Sequence, residues 1–197
     1  MSDSLTKTRD ALLEEMLPDV VFDGWRWDVA LAAAPRCGFA PGRVRAVFPG
    51  GLPDIVAHFS DWADRRMMAA LKDTDSETLR VRNRIRTALL VRLDVLRPHR
   101  EAVRQALAYW AMPLRGARAA KTLWRTADVI WRWAGDTATD YNRYTKRALL
   151  SGVISSTVLA WLGDDSGDLA ATGAFLDRRI ENVMQIGRIV GKLKKAS

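Results

Sequence analysis

The sequence is short of the residues that most enzymes use for chemistry. Among its 197 residues are one cysteine, Cys37, and two histidines, His58 and His99, which lie 41 residues apart. A single cysteine excludes an intrachain disulfide, and the histidines lack the close spacing of zinc ligands. A glycine-rich phosphate loop, a serine nucleophile elbow and a cysteine–histidine pair are missing too. We therefore expect a protein that is not an enzyme and that holds neither metal nor cofactor, with an inert thiol at Cys37.

Long hydrophobic runs are also missing. Residues 148–162 form an uncharged stretch of 15 residues, fewer than the roughly 20 that an apolar helix needs to cross a bilayer. The first 16 residues mix acids with bases and lack the apolar run of a signal peptide. We therefore expect a cytoplasmic protein whose association with the inner membrane, if any, is peripheral.

Positive charge is scarce in the N-terminal third. Residues 1–70 carry eight Lys/Arg and ten Asp/Glu, whereas residues 71–123 carry twelve and five. The net charge of +8 is therefore concentrated in the middle of the chain. Because nucleic acid is a polyanion, an acidic N-terminal third disfavours DNA binding there. The basic middle region is typical of a solvated face, with attraction to an anionic membrane surface as the alternative.

The spacing of apolar residues predicts an all-α protein of about nine helices. Apolar positions recur every three or four residues, proline and glycine separate the segments, and nothing has the alternation of a strand. Pro18 is expected to end the first helix, and a capping box of Thr74 and Glu77 to begin the fifth. The predicted helices span residues 5–17, 28–34, 43–48, 52–71, 74–97, 101–112, 117–134, 137–162 and 168–192.

The first three predicted helices are short and joined by tight turns, which is a helix-turn-helix pattern. We therefore divide the chain into a helix-turn-helix-like segment, residues 1–50, and a helical ligand-binding domain, residues 51–197. In a DNA-binding function, Arg43 and Arg45 of the third helix would contact phosphates or base edges. That helix has none of the Asn, Gln, Ser or Tyr residues that help to read bases, so a structural or dimer-supporting role is the alternative.

The C-terminal third carries a family resemblance. Two of its stretches are DTATDYNRYTKRALLSGVISSTVLAWL and FLDRRIENVMQIG. They resemble the C-terminal domain of a family of ubiquinone-biosynthesis accessory proteins, with the closest match over residues 124–191. The resemblance implies a fold like the TetR regulators and a homodimeric, non-enzymatic protein. Such a protein would bind an isoprenoid quinone precursor or another lipid and present it to the di-iron demethoxyubiquinone hydroxylase. The alternative is a TetR-like transcriptional regulator that responds to a hydrophobic ligand.

The eighth and ninth predicted helices contain the residues expected to enclose the lipid. Five small residues, Ser151, Gly152, Ser155, Ser156 and Thr157, would leave room that large side chains otherwise fill. An ordinary hydrophobic core is the alternative for every one of the apolar positions. The candidate lipid-binding residues are Leu149, Val153, Ile154, Val158, Trp161, Phe175, Ile180 and Met184.

The seventh predicted helix carries a candidate docking surface, formed by Asp128, Trp131 and Arg132. Trp and Arg dominate protein interfaces, and the resemblance implies that matching positions bind the hydroxylase. Family members often have an aromatic residue where this chain has Arg132. Burial of Trp131 in the core is the alternative.

The end of the chain predicts a weak contact with membrane. Residues 186–193 place Ile186, Ile189, Val190 and Leu193 on one side, and lysines follow at the end. Each cation near an anionic surface contributes about 1 kcal/mol of attraction. We therefore expect a transient surface contact without deep insertion.

Overall fold

The computed structural model describes residues 2–139 and 141–196, and the side chains of residues 3–139 and 142–185. Every regular element in the described ranges is helical, which confirms the all-α prediction. A 3₁₀ turn, η1 (Arg97–His99), precedes the sixth helix. The nine α-helices of these ranges are α1 (Ser2–Asp23), α2 (Trp27–Arg36), α3 (Gly42–Val47), α4 (Leu52–Ala70), α5 (Val81–Leu96), α6 (Arg100–Ala111), α7 (Gly116–Trp133), α8 (Tyr141–Leu162) and α9 (Ala170–Ala196).

The chain forms two compact units. The first combines residues 2–66 with Val95–Thr122, and the second combines Met67–Asp94 with residues 123–196. The boundary predicted after residue 50 lies within the first unit. This boundary separates the helix-turn-helix-like segment from the rest of the chain, and it stays a prediction.

The first unit is built around α1, which packs against α2, α3 and α6. Ala30, Ala33 and Ala34 of α2 are fully buried, and their small side chains allow a close approach of the helices. The residues of α1 that are buried in this core are Leu12, Leu13, Met16, Leu17 and Val20.

α1 continues through Pro18 to Asp23, so the predicted end at residue 17 is wrong. Proline removes a backbone donor and crowds the preceding turn, which costs roughly 3 kcal/mol in a helix interior. On either side of it, Leu17 and Val20 are fully buried. Each such side chain contributes about 1.5 to 3 kcal/mol on burial, so the packing on both sides outweighs the cost of the proline.

Polar contacts fix α4 against α1. The carboxylate of Asp10 accepts a hydrogen bond from Nε2 of His58 at 2.7 Å, and that of Glu14 accepts one from Nε1 of Trp62 at 2.8 Å. Arg65 also pairs with Asp10. Burial lowers the pKa of His58 to about 4, and the charge of Arg65 acts in the same direction against the attraction of Asp10. The imidazole is therefore neutral at pH 7.

The third helix packs by Val44 and Val47, which are buried, and exposes Arg43 and Arg45. It is only six residues long. The guanidinium of Arg45 lies 5.4 Å from the ring centroid of Trp27, where it covers an aromatic side chain of the same unit.

α5 begins at Val81, seven residues later than the capping box predicted. The box of Thr74 and Glu77 is not formed. Instead, the carboxylate of Asp75 accepts the backbone N–H of Glu77 at 3.0 Å, and its carbonyl accepts the hydroxyl of Thr78 at 2.9 Å. Asp75 thereby closes a local turn, and such turns compete with helix formation.

In the second unit, α8 packs against α9. The turn between them is closed by carboxylates: Asp168 accepts the backbone N–H of Ala170 at 2.9 Å, and Asp164 accepts that of Thr172 at 3.1 Å. Hydrogen bonds from Ser166 and Thr172 lower the pKa of Asp164 to about 2. The first amides of α9 are therefore satisfied by side chains, which fixes where α9 leaves the turn.

Candidate functional site

A cavity of about 220 Å³ lies within the second unit, between α5, α7, α8 and α9. Among the described residues of the lining, Arg82 and Lys146 are the only charged ones, and the others are apolar or aromatic. Val81 and Met184, which line the cavity, are also exposed to solvent. The lining consists of Val81, Arg82, Ile85, Trp131, Lys146, Leu149, Leu150, Val153, Ile180, Val183 and Met184.

The N-terminal half of α8 forms one wall of the cavity. Lys146, Leu149 and Val153 line it at spacings of three and four residues, the spacing at which helical side chains share a face. Ile180 and Met184, four residues apart on α9, line it as well. The structure therefore brings together four of the predicted lipid-binding residues, namely Leu149, Val153, Ile180 and Met184.

The other four predicted residues do not line this cavity. Ile154, Val158 and Trp161 are buried in the core, farther along α8. Phe175 is half-buried beneath the guanidinium groups of Arg178 and Arg179, at 5.9 and 5.0 Å from its ring centroid. A lipid-binding role for these four residues stays a prediction without support from the shape of the cavity.

The small residues of α8 do not form the cavity either, contrary to expectation. None of the five lines it. The hydroxyl of Ser151 donates to the carbonyl of Arg147 at 2.8 Å, and that of Ser156 donates to the carbonyl of Gly152 at 2.9 Å. Gly152 itself is exposed. The hydroxyl groups of Ser151 and Ser156 are thus satisfied within their own helix.

Several lining residues were missed in the sequence. Val81 and Ile85 of α5 are four residues apart, as are Leu149 and Val153, and that spacing could have marked α5 as a further wall. Leu150 and Val183 are neighbours in sequence of two predicted residues, Leu149 and Met184. The pairing of α5 with α8 is tertiary, and a single sequence contains no signal for it.

Two ion pairs lie at the polar side of the cavity. Arg82 pairs with Glu181 at 3.2 Å, which joins α5 to α9. Lys146 pairs with Asp136 at 2.6 Å, and its ammonium lies 5.4 Å from the ring centroid of Trp131. The two cations of the lining are thus held by carboxylates, which leaves the apolar wall to dominate what the cavity can bind.

Arg147 forms the centre of a buried ion network on α8, called here the Arg147 network. Its side chain is only 2% exposed. Nε donates to Asp128 of α7 at 3.0 Å, and Nη1 donates to Asp136. Burial by itself raises the pKa of Asp136, but hydrogen bonds from Lys146 and Arg147 outweigh it and hold the pKa below its ordinary value. Asp136 is therefore ionised at neutral pH.

A glycine turn brings Asp136 to this network. Gly135 has φ +85°, a conformation that only glycine adopts without strain. Nη1 of Arg84 donates to the carbonyl of Ala134 at 2.9 Å, and a Cβ on Gly135 would lie 2.8 Å from the same nitrogen. The end of α7 is therefore held by α5, and the carboxylate that follows it faces Arg147.

The predicted docking residues are divided between two environments. The carboxylate of Asp128 is buried and accepts from Arg147, Arg132 and Arg143. Trp131 is half-buried, lines the cavity and donates from Nε1 to the carbonyl of Lys146 at 3.0 Å. Arg132 is exposed. Arg132 is thus the residue of the three that a partner protein reaches most directly.

The remaining sequence predictions concern a metal site, a membrane-spanning helix and the side chains at the end of the chain. Across the described part of the chain, no cluster of three or more His, Cys, Asp or Glu residues is arranged to hold a metal ion. None of the helices in that part combines the length and the apolar character needed to span a bilayer. The side chains of residues 186–197, including Ile186, Ile189, Val190 and Leu193, lie outside the described residues.

The C-terminal part of the chain, which contains most of the residues that line the cavity, matches a known protein family. Residues 116–187 match the family model for COQ9, a segment that includes Trp131, α8 and the lining residues of α9. Over these residues the chain is similar to the COQ9 family. The family resemblance noted in the sequence is thereby confirmed.

Curated COQ9 proteins match over most of this chain. The ubiquinone biosynthesis protein COQ9, mitochondrial, of Rattus norvegicus is 28% identical over 187 residues, 91% of this chain and 59% of its own length. Its counterpart from Xenopus tropicalis is 30% identical over 183 residues, 89% of this chain and 56% of its own length. The human protein is 26% identical over 190 residues, which are 93% of this chain and 59% of its own length. The chain therefore spans less than two thirds of the length of these relatives.

The fold is that of the TetR regulators. A TetR transcriptional regulator from Nitrosomonas europaea ATCC 19718 superimposes with a TM-score of 0.71 at 20% identity, over 91% of this chain and 99% of the other. At this identity the likeness concerns the fold alone. It confirms the TetR-like architecture predicted for this chain.

Proposed function

We propose that this protein acts in ubiquinone biosynthesis as a non-enzymatic accessory protein. It binds an isoprenoid quinone precursor in the cavity of the second unit and presents it to a membrane-associated di-iron hydroxylase. The relatives named as ubiquinone biosynthesis proteins support the pathway. The observation that carries the proposal is the cavity itself, because α7, α8 and the lining residues of α9 lie in the segment that matches the COQ9 family model.

The lining of the cavity favours an apolar ligand. Nine of its eleven residues are apolar or aromatic, and both of its cations are paired with carboxylates. Water gains few hydrogen bonds on such a wall, so an apolar ligand displaces it at little cost. Burial of apolar surface then stabilises the complex by about 25 cal/mol for each Å² removed from water.

The size of the cavity limits which part of the ligand it encloses. At about 220 Å³ it exceeds the roughly 150 Å³ that holds benzene in an engineered protein, but lies below the roughly 300 Å³ of a small drug pocket. It therefore accommodates a ring or a short branched segment. The rest of an isoprenoid tail leaves past Val81 and Met184, which are exposed to solvent.

Lipid extraction tests the proposal. Purified protein is extracted with organic solvent, and the extract is examined by mass spectrometry. We expect an isoprenoid quinone or a related lipid in stoichiometric amount. Recovery of no isoprenoid or phospholipid, together with no uptake from vesicles that contain quinone, would remove the carrier function.

The hydroxylase contact is tested with two variants that separate docking from ligand binding. Arg132→Met removes an exposed charge that does not line the cavity, so we expect weaker binding of the hydroxylase with unchanged lipid content. Trp131→Ala removes a lining side chain and a hydrogen bond to Lys146, so it is expected to reduce both. Unchanged hydroxylase binding in Arg132→Met, measured by calorimetry, removes that residue from the docking surface.

The proposal includes a homodimer and a transient contact with the membrane surface. Its alternative is a TetR-like regulator, in which α3 would bind DNA. A six-residue α3, with Arg45 over Trp27, gives that alternative no support. A salt-sensitive preference for one DNA duplex over a scrambled one would favour it instead of the carrier function.

A further inference from the structure

We propose that the turn between α6 and α7 is a membrane-contact site, which inserts Met112 and Leu114 into the interface of an anionic bilayer. The turn belongs to the first unit, whereas the cavity belongs to the second. The proposal assigns residues to the membrane contact of the proposed function, on which it rests in that respect, and does not depend on which ligand the cavity binds.

Leu114 is the most unusual residue of this turn. Its side chain is fully exposed, and its φ is +68°. A left-handed conformation is strained for a bulky side chain and is ordinarily taken by glycine or asparagine. In the isolated protein, Leu114 is therefore unfavourable both for its exposed apolar side chain and for its backbone conformation. Such a residue at a surface turn indicates a contact that is made outside the chain.

Backbone and side-chain contacts stabilise the turn. The N–H of Arg115 donates to the carbonyl of Met112 at 3.3 Å, with Pro113 and Leu114 as the central residues. Proline in the first central position and a positive φ in the second are typical of a type II turn. Nη1 of Arg115 donates to the carbonyl of Tyr109 at 3.0 Å, and its guanidinium lies 3.8 Å from the Tyr109 ring centroid. These contacts reduce the entropic cost of ordering the backbone of the tip on binding.

Charge complementarity identifies the partner as an anionic membrane. Residues 102–122 contain four Lys/Arg and no Asp/Glu, although Arg104 pairs with Glu101 just before them. Arg118 pairs with Asp54, and Lys121 is exposed one turn farther along α7. Apolar side chains at the tip with cations behind them match the layers of a bilayer, whose headgroups lie outside its acyl chains.

The size of the tip argues against a protein partner. A stable protein interface buries about 800 Å² on each side, whereas this tip offers two large apolar side chains, Met112 and Leu114. Such interfaces are also depleted in lysine, which the region behind the tip contains. A lipid surface needs no complementary shape, so a small wedge is sufficient.

Leu114→Gly is the informative variant because glycine relieves the positive φ while removing the apolar side chain. The full chain is sedimented with vesicles of phosphatidylcholine, with and without phosphatidylglycerol, in the absence of quinone. We expect the wild type to bind the anionic vesicles, Leu114→Gly to bind them roughly tenfold more weakly, and its urea midpoint to be equal or higher. Lys121→Glu should weaken binding to the anionic vesicles alone.

Phe22→Ala is the matched control. Phe22 is 86% exposed in the same unit, but acidic residues, Asp19 and Asp23, flank it. We expect this variant to bind vesicles as the wild type does. Unchanged binding of Leu114→Gly, an equal loss in Phe22→Ala, or equal binding of the wild type to neutral vesicles would each overturn the proposal. Since no quinone is present, these outcomes are independent of lipid carriage by the cavity.

Discussion

At the scale of single residues, Arg147 shows how a buried charge determines the local structure. Its guanidinium joins Asp128 of α7 to Asp136 of the following turn, and both carboxylates accept from further cations. Buried ion pairs add little net stability, but loss of one partner leaves an uncompensated charge. The network therefore fixes the position of α8 against α7, and with it the places of Lys146 and Trp131 in the cavity wall.

Arg147→Met is expected to lower the free energy of unfolding by about 3 kcal/mol, because Asp128 and Asp136 lose their shared partner in a buried place. Urea denaturation measures the change. Arg132→Met is the matched control, since it removes an exposed guanidinium that pairs with the same Asp128. The control should cost about 1 kcal/mol or less. Equal effects of the two variants would contradict the buried role of Arg147.

His58 predicts a dependence of stability on pH. Its pKa in the folded protein is about 4, below the ordinary 6.5, so between these values the unfolded chain takes up a proton that the folded one does not. The free energy of unfolding therefore decreases as the pH falls from 6.5 to 4, by about 3 kcal/mol at most. In His58→Gln this contribution disappears. Parallel pH profiles for wild type and His58→Gln in urea denaturation would contradict the prediction.

At the scale of elements, local signals were overridden where packing was strong. Apolar spacing gave the helices, yet Pro18 did not end α1, because Leu17 and Val20 on either side of it are buried. Conversely, the capping residues at 74 and 77 did not begin α5, since Asp75 closes a turn of its own. The sequence could predict which segments are helical, but the exact limits depended on packing around Pro18 in one case and on a competing local turn at Asp75 in the other.

Pro18→Ala is expected to stabilise the protein by about 1 to 3 kcal/mol. Alanine restores a backbone donor within α1 and removes the crowding by the ring, and position 18 is exposed, so no packing is lost. Thermal and urea denaturation measure the change. A lower unfolding midpoint in Pro18→Ala would show that the proline relieves some constraint in α1 instead of adding one.

At the scale of the whole molecule, the fold was predictable further than the site. The family resemblance implied the TetR-like architecture, which the structure confirms. Of the cavity residues, Leu149, Val153, Ile180 and Met184 followed from apolar spacing on α8 and α9. Val81 and Ile85 could not be assigned, because α5 meets α8 only in the folded chain. Trp131 was predicted at a docking surface, and its place in the cavity wall depends on its hydrogen bond to Lys146.

The account centres on an apolar ligand in the cavity of the second unit, and two matched substitutions on α8 test it most directly. Leu149→Trp fills the cavity from its wall, whereas Leu159→Trp makes the same change at an exposed position that does not line it. The measurement is the affinity of each purified variant for a short-tailed ubiquinone analogue. We expect Leu149→Trp to bind roughly tenfold or more weakly and Leu159→Trp to bind as the wild type does. Equal affinity of all three proteins would contradict a ligand in this cavity.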